Sequence, residues 1–239
     1  MDSTIPKVSL KNKFGFALGH VLNDMLACIG VTYELVFFHK VLLLSNFNSG
    51  LLVLVGQIAD ALSTVFVGTF SDKGDGFWLC RKFGNRKSWH LIGVLCSLFA
   101  FPFLFSLCIN CESSHESAKL VYYSAFMIIF QFGWASMQIS HLAVIPELAQ
   151  NSPNEKIGLT AIRYTMTVIS TILVYFLAWI FLKDSESSVT PEDYLSFQKL
   201  ALTCCFIGGL CSIGYHTISR LPNDDNTRPN HENESFNKR

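Results

Sequence analysis

Three ionisable side chains fall where little water is available. Asp60 stands near the centre of the apolar run Leu51–Phe70, with Gln57 one turn before it. At 1.5 Å per residue, such a run crosses the hydrocarbon core of a bilayer as a helix. Asp24 holds a similar depth in the first apolar block, where His20, Asn23 and Asp24 share one helical face at i, i+3 and i+4. Arg163 belongs to a block that opens with Ser152-Pro153-Asn154-Glu155. That pattern supplies an N-cap, a proline at the first helical position and a glutamate that closes a capping box. Counted from Pro153, Arg163 lies roughly 15 Å along the axis, near the midplane. An ion at that depth marks a transport path or a proton relay by default, and a polar contact between helices is the plainer reading. Arg163 needs a carboxylate, so Asp24, Asp60 and Arg163 are expected to form an internal triad.

The fourth block adds Gln131, Gln138, Ser140 and His141. His141 is open to two readings, a titrating group or a neutral imidazole hydrogen-bonded to a neighbouring helix. Trp134 reads as a cavity wall or, by preference, as packing, and Glu34, nearer the outer end of its block, reads as snorkelling or hydrated. The expected substrate and cation pathway is therefore Asp24, Asp60, Arg163, Gln138, His141, His20, Asn23 and Gln57.

Six long apolar blocks must position these residues, at about 14–38, 51–70, 89–108, 120–142, 159–182 and 200–215. The 239-residue chain is 50% hydrophobic and 15% charged, with 21 Phe, and its apolar residues come in blocks, so the fold class is an all-α membrane protein, a six-helix transmembrane bundle. A net charge of zero gives no reason to expect nucleic acid as a partner. With six spans, one side collects Lys7, Lys11, Lys13, Arg86, Lys87, Lys156 and Arg220 among others, and the opposite side only Lys40, Lys119, Lys183 and Lys199. That bias places both termini in the cytosol. Residues 1–13 form a cytosolic leader, 14–220 the bundle, and 221–239 a disordered cytosolic tail of low apolar content.

No P-loop, zincin or hydrolase motif occurs, so no enzyme activity, metal or cofactor is expected. The eight cysteines lack a metal-ligand spacing. Five lie in apolar blocks as small hydrophobes, and Cys108-x-x-Cys111 reads as a loop disulfide or two thiols.

Between the second and third blocks stands Gly68-Thr-Phe-Ser-Asp72-Lys73, followed after Gly74 to Cys80 by Arg81-Lys-Phe-Gly84-Asn-Arg86-Lys87. This loop resembles the one between helices 2 and 3 of the major facilitator superfamily, in the layout of its glycoside–pentoside–hexuronide cation symporter branch. The resemblance implies half of a major facilitator fold and a gating loop of Gly68, Asp72, Arg81, Gly84, Arg86 and Lys87. In it, glycine permits close helix packing, and the aspartate with the basic residues latches one access state.

Against melibiose-permease-type members, Asp24 matches a substrate-binding aspartate, Asp60 a cation-site aspartate and Arg163 a buried arginine. Two family carboxylates are replaced, by Thr64 and Gln138. Sodium wants several hard oxygen ligands, so the resemblance here implies proton coupling or no cation coupling rather than a sodium-driven sugar carrier.

Ala17-Leu-Gly-His-Val-Leu-Asn-Asp24, Gly56-Gln-Ile-Ala-Asp60-Ala and Leu159-Thr-Ala-Ile-Arg163-Tyr164 are similar to one eukaryotic subgroup of that family. That similarity implies a carrier of lysosomal and melanosomal membranes concerned with cysteine import, with the plasma membrane as the alternative location. The chain is expected to be an N-terminal half. Its partners would be a small polar solute, the lipid bilayer, and either a C-terminal six-helix half or a second copy. A non-transporting short form and a sugar:cation symporter are the alternatives.

Overall fold

The computed structural model describes residues 7–72, 80, 83–109, 115–150, 152–183 and 189–221. The apolar blocks are helical, as they must be where backbone groups have no water to bond. The first span comprises α1 (Leu10–Leu18), α2 (Val21–Val36) and a π-helical turn at Phe37–Val41. The others are α3 (Asn46–Asp72), α4 (Asn85–Leu104), α5 (Glu116–Ala149), α6 (Pro153–Leu182) and α7 (Tyr194–Ile218). Taken as six stretches, all are long and apolar enough to cross a membrane.

Side chains start several of these helices. Ser9 accepts from the Asn12 amide, and Ser152 from the Glu155 amide at 3.4 Å. Glu155 pairs with Lys13 Nζ at 2.8 Å, tying α6 to α1. The leader expected over residues 1–13 is thus shorter: Leu10 to Lys13 already belong to α1, and residues 1–6 lie outside the described residues.

The first block departs from the continuous helix expected of it. It breaks at Gly19-His20, between α1 and α2. Carbonyls at the break receive imidazoles of other helices: His90 Nε2 donates to Gly19 O at 2.9 Å, and His141 Nε2 to Phe16 O at 2.8 Å, which also accepts from the Gly19 amide at 3.1 Å. Pro146, expected beyond the end of its helix, lies inside α5.

The helices α4 and α5 cross in direct backbone contact. A Cβ on Gly93 would stand 2.6 Å from the Gly133 carbonyl oxygen, so only glycine allows the crossing. On its other side α5 packs against α3, and α2 lies against α6 and α7. Phe37 and Phe38 of the π-helical turn pack on Phe105, Tyr123 and Phe197, filling the end of the bundle away from the basic side chains. At the basic end a second cluster gathers Phe16, Val144, Leu148, Leu159 and Leu221. Leu221, assigned above to the tail, is buried there; residues 222–239 lie outside the described residues. Asn12 secures the same place, its Nδ2 donating to Arg220 O at 3.1 Å and its Oδ1 accepting from Arg220 N at 3.0 Å.

Cys108 is disulfide-bonded, whereas Cys28, Cys96, Cys204, Cys205 and Cys211 of the helices are free thiols. Cys111 lies outside the described residues.

Candidate functional site

Helix α2 starts in mid-bundle, so Asp24 falls in the first turn of a helix whose amide dipoles favour an anion. Thr167 of α6 donates its hydroxyl to Asp24 Oδ2 at 3.0 Å. Thr167 is one turn beyond Arg163, and its hydroxyl also lies 3.2 Å from the Arg163 carbonyl oxygen. His20 lies between the charges: its Nε2 is 3.5 Å from Asp24 Oδ1 and 3.5 Å from Arg163 Nη1. A ring nitrogen either donates or accepts, so His20 Nε2 serves the carboxylate or the guanidinium and never both. Arg163 Nε is buried with no hydrogen-bond partner among the described residues. Its guanidinium carbon sits 4.8 Å from the Tyr164 ring centroid, a cation–π contact.

The expected triad is therefore rearranged. Arg163 makes no ion pair with Asp24 or Asp60 among the described residues, because the His20 imidazole fills the space between Arg163 and Asp24. Asp60 belongs to a second group. It accepts from the Thr64 hydroxyl at 3.4 Å and lines a cavity of about 460 Å³ between α2, α3 and α5. Gln57, Gln131, Trp134 and Glu34 line the same cavity. Trp134 both lines this cavity and packs against the hydrophobic core. Glu34 brings a second carboxylate to the site. Its signal was present in the sequence, since Ala27, Gly30, Val31 and Glu34 follow one helical stripe below Asp24.

Of the remaining pathway residues, Asn23 is buried and Gln138 half-buried, and the amide oxygens of both accept no hydrogen bond among the described residues. His141 is fully buried and donates to a backbone carbonyl of a neighbouring helix. The sequence reading passed over His90, His216 and Thr167.

At the basic end Arg86 joins three helices. Its Nη1 reaches Asp72 Oδ1 at 2.6 Å and Ser71 Oγ at 3.1 Å, and its Nε reaches Glu147 Oε1 at 3.0 Å. Gly84 caps α4 at φ 77°, a left-handed conformation that suits glycine. Lys87, buried, donates to Ser219 O at 2.7 Å. Among the described residues a Cβ on Gly68 would meet nothing within 4 Å, so the close packing expected of it is not seen there. Arg81 and Lys73 lie outside the described residues.

Comparison with known proteins agrees with this architecture. Human major facilitator superfamily domain-containing protein 12 is 42% identical over 227 residues, covering 89% of this chain and 47% of the relative. The mouse protein of that name is 42% identical over 221 residues, covering 87% and 45%. A putative sulfoquinovose importer of Escherichia coli K12 is 24% identical over 184 residues, covering 77% and 38%. The chain thus spans about half the length of these two curated relatives. The family profile described as MFS/sugar transport protein matches residues 15–238. With six helices long and apolar enough to span a membrane and that profile matching nearly the whole chain, the chain belongs to the major facilitator (MFS/sugar transport protein) family.

Proposed function

We propose that this chain forms one six-helix half of a secondary carrier that moves cysteine, or a similar small zwitterion, across a lysosome-related membrane. The observation that carries the reading is the pair of opposite charges, Asp24 and Arg163, held apart by a histidine that can satisfy only one of them. A small amino acid offers both missing partners at once: an ammonium for Asp24 and a carboxylate for the unpartnered Nε edge of Arg163. Cysteine and the organelle membrane are supported by the sequence resemblance drawn above.

The second half of the site would come from a C-terminal bundle or a second copy. The helices α3 and α6 support this, because they are the least buried of the spans and carry exposed apolar side chains such as Leu54, Ile58, Ile172 and Phe176. Coupling to protons is supported by a cavity in which two carboxylates, Asp60 and Glu34, stand with the Thr64 hydroxyl bonded to the first of them. The runner-up reading is a sulfonated sugar as substrate. It is favoured by the importer relative and by the same Arg163 edge, a match for a sulfonate.

The test is competition for cysteine uptake by the full-length protein in proteoliposomes. Cysteamine lacks the carboxylate and 3-mercaptopropionate lacks the ammonium, so both should compete at least about tenfold more weakly than cysteine, one charge-assisted hydrogen bond being lost in each. Thr167→Val should raise the KM for cysteine about tenfold by removing the hydroxyl that orients Asp24. Equal competition by all three thiols, or competition by sulfoquinovose alone, would overturn the zwitterion reading.

A further inference from the structure

The break at Gly19-His20 is surrounded by histidines from three other helices. His141 of α5 donates Nε2–H to Phe16 O at 2.8 Å. His90 of α4 donates Nε2–H to Gly19 O at 2.9 Å, and its Nδ1 lies 3.1 Å from His216 Nε2 of α7. A carbonyl oxygen only accepts, so these contacts fix the protons. His90 and His141 must carry hydrogen on Nε2, and a neutral His90 must accept at Nδ1 from His216 Nε2–H.

Ring packing carries this order to the charged centre. His141 lies between Phe16, at 4.3 Å and 16°, and His20, at 5.1 Å and 11°. A Cβ on residue 19 would stand 2.7 Å from His141 Cδ2, so glycine is what lets the imidazole reach the break. The charged and titratable groups around the two rings are Lys87 on α4, Arg163 on α6, His20 in the break, Asp24 on α2, and Tyr215 with His216 on α7.

We infer that His90 and His141 are positioning residues of the Asp24–His20–Arg163 centre, their Nε2–H groups clamping the carbonyl oxygens of Gly19 and Phe16 at the break in the first membrane helix. This rests on reading that centre as the substrate site. The clamp needs the Nε2–H of each ring. Neither histidine touches the substrate. Each sets the direction in which α2 leaves the break, and so where His20 and Asp24 stand. His216 holds His90 in the required tautomer.

Two measurements on the full-length protein in lipid vesicles test the clamp. The first is the ¹⁵N spectrum of histidine-labelled protein, assigned by single substitutions and recorded without substrate. His90 and His141 should both show protonated Nε2 and bare Nδ1, and His216→Leu should give the His90 signal a mixture of tautomers. Hydrogen on Nδ1 alone, in either residue, would overturn the clamp, because that tautomer cannot donate to the carbonyl. The second is cysteine uptake. Glutamine places an amide N–H near the position of Nε2, so His90→Gln and His141→Gln should keep KM within about threefold of wild type, whereas His90→Leu and His141→Leu should raise it about tenfold or more. Leucine and glutamine variants with equal KM would reduce both residues to packing and overturn the proposal. If the leucine variants do not fold, the tautomers decide alone. Absence of cysteine uptake by the wild type would sink the substrate reading while the tautomers still confirm or refute the clamp.

Discussion

Breaking the bridge between Arg86 and Glu147 should open the basic end of the bundle more than breaking the one between Arg86 and Asp72. By distance alone the order would be reversed, since Arg86 reaches Asp72 at 2.6 Å and Glu147 at 3.0 Å. Exposure decides otherwise. The Asp72 side chain is 68% exposed and that of Glu147 28%, against 18% for Arg86. Water and salt screen the Asp72 pair, which contributes at most about 1 kcal/mol. The Glu147 pair is a better-shielded charge-assisted hydrogen bond and is worth about 1.5–3 kcal/mol.

Asp72→Asn should therefore raise the opened population by up to about fivefold, and Glu147→Gln by about ten- to 150-fold. Val67 supplies the probe. It is fully buried on α3, one turn before Ser71, so a Val67→Cys thiol reacts only when α3 parts from its neighbours. When reclosing is fast, the rate of labelling by a membrane-impermeant maleimide tracks the opened fraction. Faster labelling with Asp72→Asn than with Glu147→Gln, or no change with either, would refute the ranking by exposure.

Two further outcomes are expected. Cysteine uptake by the full-length protein should depend on pH and not on sodium, and Asp60→Asn should flatten the pH response while the protein stays folded; a sodium requirement with a flat pH profile would return the chain to the sodium-coupled branch. Gly93→Ala should lower stability by about 1–3 kcal/mol, because the new methyl meets the Gly133 backbone, which cannot yield as a side chain would. Gly158→Ala, with nothing within 4 Å of the added atom, is its control, and thermal melting in detergent separates the two.

The spans were legible because apolar runs of sufficient length have one solution in a bilayer, and counting residues along a helix was enough to put Asp24, Asp60 and Arg163 inside helices rather than in loops. What lies between those residues was not legible. The partner of Arg163 depends on how α2 and α6 rotate about their axes, and that is set by contacts between helices far apart in the chain. The break at Gly19 escaped notice for the same reason. Its local sequence is ordinary for a helix, and what makes the break tolerable is two imidazoles supplied from residues 90 and 141. Glu147 was seen as an acid near a proline and not as the counter-ion of Arg86, because α5 was expected to stop before Pro146. Gly68 is a motif glycine where an added Cβ would meet nothing within 4 Å among the described residues.

The paired hydrogen bonds between the Asn12 amide and the backbone of Arg220 also have a mechanical meaning. A side-chain amide here imitates a peptide group, so the strand leaving α7 is gripped in the way one β-strand grips another. Displacement of the backbone at Arg220 would be carried by Asn12 into α1, and along that helix to the break at Gly19-His20 from which the turn bearing Asp24 sets out.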